Sequence, residues 1–309
     1  MEYETAGDPV SGLKWTHRTT QKIAEELLRF GIKVGPRTVA RLLDTMGYSL
    51  RVNQKKIALS GKGNKEKREN RNKQYNYIQR CQKQFVRKKL PAISIDTKKK
   101  ELIGNFKNGG CRWGNNNTNV NDHDFPSWAT GKVVPYGIYD LLMNKGYVYV
   151  GTSCDTAKFS ADCIEKWWNN VGRKQYPHAD EILILADNGG SNSSVSKIWK
   201  AALQKTVCNK HNIKVTVCHF PPGASKWNPI EHKLFSQISK NWAATPLRDY
   251  ETVLKYIRTT KTKTGLKVSA TLVKKKYIAG VKPTKEDITC VNIKHRGPVK
   301  KWNYTLSPK

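Results

Sequence analysis

The order of apolar patterns along this 309-residue chain predicts an α/β fold, a mixed sheet flanked by helices, with a helical segment in front of it. Three observations carry that expectation. Short apolar runs of strand length, bounded by Gly, Asn, Asp and Pro, cluster between residues 91 and 220. The later runs alternate with segments whose apolar residues recur at helical spacing. Charge is uneven: residues 61–90 hold 11 basic and 2 acidic side chains and residues 246–309 hold 16 and 4, whereas residues 91–245 hold 19 and 12. A folded core between basic flanks fits that contrast.

Composition narrows the function. Lys and Arg number 56 against 24 Asp and Glu, a formal net charge of +32. Such an excess points to a polyanionic partner, nucleic acid before an anionic membrane surface. Nine Trp and thirteen Tyr argue against a disordered basic tail. No run approaches the ~18 apolar residues of a membrane span. The polar, acidic residues 1–10 do not form a secretory signal. Seven irregularly spaced Cys suit a reducing cytoplasm better than a disulfide framework.

Residues 16–47 predict two helices and a tight turn. Ile23, Leu27 and Phe30 make one apolar face, and Gly31 ends that helix. Gly35 and Pro36 open the next, with Val39, Leu42, Leu43 and Met46 as its apolar face and Gly47 as its stop. Read as a helix-turn-helix, the second helix presents Arg37, Thr38 and Arg41 to DNA; the plainer reading is a helical hairpin. Within residues 61–90, Tyr75, Ile78, Gln82, Phe85 and Val86 support a basic helix, either a solvated linker or a phosphate tracker.

Residues 91–96 predict a strand that ends at Asp96, and residues 99–106 a second. Residues 107–132, rich in Gly and Asn, read as a long loop carrying Arg112 and Trp113. Strands at 135–141 and 146–152 follow, then a helix at 159–171 and a buried strand at 181–187 that ends at Asp187. A helix at 195–205, a strand at 213–220 and a helix at 228–242 complete the core. Three early strands followed by helix-linked strands give the ribonuclease H-like order. The expected organisation is a DNA-binding segment at 1–60, a basic linker helix at 61–90, a catalytic domain at 91–245 and a basic extension at 246–309.

Three acids stand where such a sheet would gather them: Asp96 and Asp187 at strand ends, and Glu231 in the first turn of the last core helix. Ligands of open α/β sheets collect at the carboxyl ends of strands. Carboxylates hold Mg²⁺ together with water and phosphate oxygens, and two such ions can serve both the attacking and the leaving oxygen of a phosphodiester. Each acid also has a plainer reading. Asp96 and Asp187 can be turn residues, and Asn228 three residues before Glu231 has the spacing of a capping box.

The segments SIDTKKKELIGNFKNGG, HDFPSWATGKVVPYGIYDL, LILADNGGSNS and CHFPPGASKWNPIEHKLFSQISKNW resemble the DDE transposases of the bacterial ISAzo insertion-sequence family, the Rhodopirellula-type transposase domain. KVGPRTVARLLDTMGYSLRVNQKK and the terminal WNYTLSP extend the resemblance over nearly the whole chain. It implies a ribonuclease H-like domain with two divalent ions, Mg²⁺ or Mn²⁺, and Asp96, Asp187 and Glu231 as both catalytic triad and metal ligands. It also implies double-stranded DNA as partner, at element ends and target, a homo-oligomer on DNA, and the bacterial cytoplasm and nucleoid. Relatives usually carry more DNA-binding sequence upstream, so part of that region is expected to be missing. Arg112 and Lys226 join Arg37, Thr38 and Arg41 as candidate DNA contacts.

Several residues carry weaker readings. Asp155 is an auxiliary metal-side acid or, preferably, the cap of the next helix. Asp122, His123 and Asp124 form a small polar cluster. Cys208, His211, Cys218 and His219 are poorly spaced for zinc, since adjacent strand residues face opposite ways. His232 is a surface or supporting imidazole, and Trp227 stacks on a base or packs in the core. The function that follows is a transposase that cuts DNA at insertion-sequence ends and joins the 3′-hydroxyl to target DNA. The alternatives are a catalytically silent DNA-binding regulator and a ribonuclease H-like nuclease.

Overall fold

The computed structural model describes residues 6–7, 14–15, 19–50, 65–221, 224 and 227–309. Residues 1–59 and 60–309 form two separate units. In the first, β1 (Ala6–Gly7) pairs antiparallel with β2 (Lys14–Trp15). Helices α1 (Thr20–Arg29) and α2 (Pro36–Thr45) follow. The Thr19 hydroxyl accepts from the Lys22 amide at 3.2 Å to cap α1, and Pro36 sits in the first turn of α2. Ile23, Ala24 and Val39 are buried between the two helices. Residues 30–35 connect them, a longer link than the three- or four-residue turn of a helix-turn-helix. The structure therefore gives the two helices and their apolar seam, with Arg37 and Arg41 exposed and Thr38 half-buried.

The second unit begins with α3 (Lys65–Arg87), then β3 (Ala92–Thr97), β4 (Glu101–Ile103), β5 (Gly131–Asp140) and β6 (Lys145–Gly151). Helix α4 (Ala157–Trp167) runs through a π-helical turn (Trp168–Gly172) into α5 (Arg173–Gln175). Strand β7 (Glu181–Ala186), α6 (Lys197–Leu203) with a π-helical turn (Gln204–Asn209), and β8 (Lys214–His219) follow. A third π-helical turn (Glu231–Phe235) leads into α7 (Ser236–Asn241). The chain closes with α8 (Tyr250–Arg258), β9 (Lys267–Val273), α9 (Lys285–Thr289), β10 (Ile293–His295) and β11 (Asn303–Leu306).

One mixed sheet collects these strands in the order β10-β11-β8-β7-β3-β5-β6-β9, with β4 paired to β5. Its middle, β6-β5-β3-β7-β8, is an antiparallel meander followed by two parallel strands. That strand order is the ribonuclease H-like one expected from the sequence. The basic C-terminal segment does more than extend the core. It supplies both outer edges, β9 parallel to β6 on one side and, on the other, β11 antiparallel to β8 with β10 outside it. Helix α3, read as a linker, packs Ile78 and Phe85 against Leu183 and Leu185 of β7.

Alternation along the strands divides the core by face. Ile93, Ile95, Ile182, Ile184 and Ala186 pack with α4 and α6 on one side. Ser94 and Asp96 share the other side, where Ile230, Leu234 and Phe235 pack on β5 and β6. Two glycines allow that close approach. A Cβ at Gly137 would lie 2.5 Å from Phe235 and 2.9 Å from Ile230, and one at Gly146 would fall on Leu234. Gly137→Ala is therefore expected to lift the Glu231 turn off the sheet and to destabilise the fold by about 1–3 kcal/mol. Urea unfolding checks it, and a midpoint equal to wild type would refute it.

Candidate active site

Strands β3 and β7 run parallel with Ile95 opposite Ala186. One position further, at their carboxyl ends, stand Asp96 and Asp187. Both belong to the face that carries the Glu231 turn. The turn is anchored there by side chains: the Ser94 hydroxyl donates to Asn228 Oδ1, Asn228 Nδ2 donates to the Ile95 carbonyl at 3.3 Å, and Ser94 Oγ accepts from the Ile230 amide at 3.2 Å. The capping-box reading of Asn228 and Glu231 is thus not realised. The Asn228 side chain is spent on the strand that carries Asp96, and no side chain caps the turn. The sequence reading had only the local spacing, not the partner 134 residues away.

The three acids interact. Asp96 is 9% exposed, and burial together with the Asp187 and Glu231 carboxylates pushes its carboxyl up to about 8, although its Oδ1 accepts from the Thr97 amide at 2.7 Å. Of the two neighbouring acids, Asp187 contributes more to that rise than Glu231. Burial also raises the Asp187 carboxyl, offset in part by the Gly189 amide and reinforced by Glu231 and Asp155. Asp187 Oδ1 is buried and has no hydrogen-bond partner among the described residues. Such an orphaned acceptor calls for a donor or a cation.

Asp155 does not cap α4. That role falls to Thr156, whose hydroxyl accepts from the Phe159 amide at 3.1 Å. Asp155 instead accepts from the Thr97 hydroxyl at 3.3 Å, beside the triad. Lys98, which the sequence reading did not single out, is also here. Its ammonium lies 3.3 Å from Glu101 Oε1 and 4.5 Å over the Trp242 ring, in contact by charge with Glu231. Burial lowers its pKa, with Glu101 opposing.

The remaining candidates disperse. Arg112 is exposed and donates to the Thr118 hydroxyl at 2.7 Å, next to a fully exposed Trp113. Lys226 lies outside the described residues. Trp227 packs against Tyr75, ring centroids 4.8 Å apart, under the Arg71 guanidinium. Asp122, His123, Asp124 and His232 are exposed. Cys208 and Cys218 are buried, His211 meets Glu165 at 3.2 Å, and His219 is buried beneath Asp187. Among the described residues no three His, Cys, Asp or Glu side chains already stand as a metal-ligand set, and no helix is long and apolar enough to cross a membrane.

The donor chemistry at the sheet edge nevertheless suits a hard divalent cation. It consists of carboxylate oxygens that repel one another and one oxygen without a hydrogen-bond partner among the described residues. The model of the Rhodopirellula transposase DDE domain matches residues 1–308. The chain belongs to this family. Among solved structures, a Mos1 transposase paired-end complex with the left transposon end is similar over 78% of this chain at 16% identity, with a TM-score of 0.46. A Mos1 strand transfer complex gives the same identity, coverage of this chain and TM-score. A Mos1 mariner paired-end complex with Mn gives 17% identity over 78% and a TM-score of 0.45. The chain spans about 65% of the length of the first of these. No curated protein matches the chain significantly.

Proposed function

We propose that this DDE-domain chain is the catalytic transposase of an insertion sequence. It cuts DNA at the element ends and joins the exposed 3′-hydroxyl to target DNA. The observation that carries the reading is the meeting of Asp96, Asp187 and Glu231 at one sheet edge, with a buried Asp187 oxygen that has no hydrogen-bond partner among the described residues. Asp96, Asp187 and Glu231 would hold the two divalent ions, Mg²⁺ or Mn²⁺. When bound, these supply Lewis-acid assistance to the attacking and leaving oxygens of the phosphodiester.

The protein's own part is charge management and positioning. Metal-free, the carboxylates repel one another and would repel a phosphate. Asp96 therefore holds a proton that it must release before it can serve as a ligand. Ser94 and Asn228 fix the Glu231 turn against the Asp96 strand, so the third acid arrives with little freedom left. Lys98 places a cation beside Glu231 within hydrogen-bond reach of Glu101. The net charge of +32 draws the duplex in, and DNA at the ends and target is expected to be bridged by more than one copy of the chain.

Purified full-length protein incubated with Mn²⁺ and labelled DNA bearing the element's own ends tests the reading. Joined products in a gel support it. Binding without cleavage at any metal concentration favours the silent regulator, and cleavage confined to DNA–RNA hybrids favours a nuclease. Arg37 and Arg41 serve binding rather than chemistry in this scheme. Arg37→Ala with Arg41→Ala should weaken end binding and lower the slope of log affinity against log salt by about 1–2. An unchanged slope in a fluorescence-anisotropy titration would remove the second helix from the interface.

A further inference from the structure

Strand β7 stops pairing at Ala186, which lies opposite His219 on β8. The Asp187 peptide is already past the ladder, so its carbonyl has no sheet partner to hold it. A side chain takes over: His219 Nδ1 lies 2.9 Å from the Asp187 carbonyl oxygen. His219 Nε2 lies 3.3 Å from the Tyr304 hydroxyl on β11, and Tyr304 in turn accepts from the Trp199 indole N–H of α6 at 3.0 Å. His219, Tyr304 and Trp199 have no solvent exposure.

For a neutral imidazole the direction of every hydrogen in this chain is fixed, and the Nδ1 hydrogen points at Asp187 in either charge state. An indole nitrogen only donates and a carbonyl only accepts. Trp199 therefore gives its hydrogen to Tyr304, Tyr304 gives its own to His219 Nε2, and His219 must carry its one ring hydrogen on Nδ1, aimed at Asp187. Burial, which pushes the imidazole down to about 4, agrees with a neutral ring. The backbone of His219 is fixed independently. Its carbonyl accepts from Gln74 Nε2 of α3 at 2.9 Å, and Gln74 exchanges two further hydrogen bonds with Asn303 of β11.

We propose that Trp199, Tyr304 and His219 form a positioning relay that holds the Asp187 main chain, and through it the metal-facing carboxylate, in a single orientation. The inference rests on the reading of Asp187 as a metal ligand. It gives the C-terminal strand, which contributes no acid, a task in the active site. Groups that orient a metal ligand without touching the metal typically carry about 10- to 100-fold in metal affinity.

Side-chain replacements separate orientation from packing. In His219→Asn the amide nitrogen stands where Nδ1 stood and can still donate to Asp187. In His219→Gln it stands where Nε2 stood and cannot. Tyr304→Phe removes the hydrogen that holds the ring in its tautomer. Mn²⁺ binding to the metal-free full chain, read from the loss of the free Mn²⁺ paramagnetic resonance signal, is compared with thermal unfolding and with cleavage. The expected result is about a tenfold or greater loss of Mn²⁺ affinity in His219→Gln, a smaller loss in Tyr304→Phe and near-wild-type binding in His219→Asn. Equal losses in His219→Asn and His219→Gln that follow their melting temperatures would reduce the relay to core packing. Wild-type Mn²⁺ affinity in all three variants would overturn it outright. Asp187→Asn separates the two levels. If it binds Mn²⁺ and cleaves as wild type, the parent reading fails. If it alone loses Mn²⁺, only the relay fails.

Discussion

Asp187→Asn is expected to lower Mg²⁺- and Mn²⁺-dependent cleavage and joining of element ends by about two to three orders of magnitude, while leaving DNA affinity within about twofold. The substitution keeps the shape of the side chain and removes its charge, so the fold has little to repair. The neighbouring Gly189 amide can still donate to the remaining side-chain oxygen. What is lost is one anionic oxygen in a site whose proposed work is to gather divalent cations. A neutral amide is a far poorer ligand for such hard ions, and each removed catalytic interaction in a preorganised site costs about 10²–10³ in rate. DNA binding should persist because the basic charge that draws in the phosphates lies mainly elsewhere. It is concentrated in residues 61–90 and 246–309. Gel-shift and cleavage assays on one preparation decide the matter, and full cleavage by the variant would end the assignment. Loss of binding and cleavage together would instead mean that Asp187 holds the fold.

The acids were legible in the sequence because strand ends are. Five apolar residues followed by Asp, in the run that ends at Asp187, state both a buried strand and its exit. The parallel pairing of β3 and β7 then brings Asp96 alongside. What surrounds the acids was not legible, and for a physical reason. Short-range rules assign a polar residue to its nearest backbone neighbour, as Asn228 was assigned to a capping box and Asp155 to a helix cap. Tertiary contacts redirected both, Asn228 to Ser94 and Asp155 to Thr97. The outer strands were hidden by composition. Strand β9 is an edge whose exposed positions include Lys267 and Ser269, and β11 buries Asn303 and Thr305 against polar partners. Both do alternate, with Val268 and Ala270 turned inward on β9 and Tyr304 and Leu306 in the core on β11, but the runs are short and lie in a segment whose basic charge reads as a solvated flank. The link between His219 and Tyr304 spans 85 residues, so spacing alone carries no trace of it.

Asp96→Asn should uncouple stability from activity: the variant is inactive yet melts higher than wild type when both are metal-free at pH 8. The folded carboxyl is raised to about 8 from an ordinary 3.8, so between those values the folded state binds more protons than the unfolded chain. Stability from this group is then fully present below about pH 4 and is lost as pH rises through 8. An amide never ionises, so it escapes that loss. Its advantage should be absent near pH 4, small at pH 5 and complete at pH 8, where about 0.5–2 kcal/mol is the usual reward for relieving a strained functional site. Scanning calorimetry at pH 5 and pH 8 checks the sign. A variant no more stable at pH 8, or equally favoured at both values, would show that the carboxylates do not repel as the geometry implies. Added Mg²⁺ supplies the complementary half. It should raise the melting temperature of wild type through preferential binding to the folded site and leave the variant nearly unmoved. A chain with a net charge of +32 thus keeps a local excess of negative charge at one sheet edge, and the pH dependence measures what that exception costs until a cation arrives.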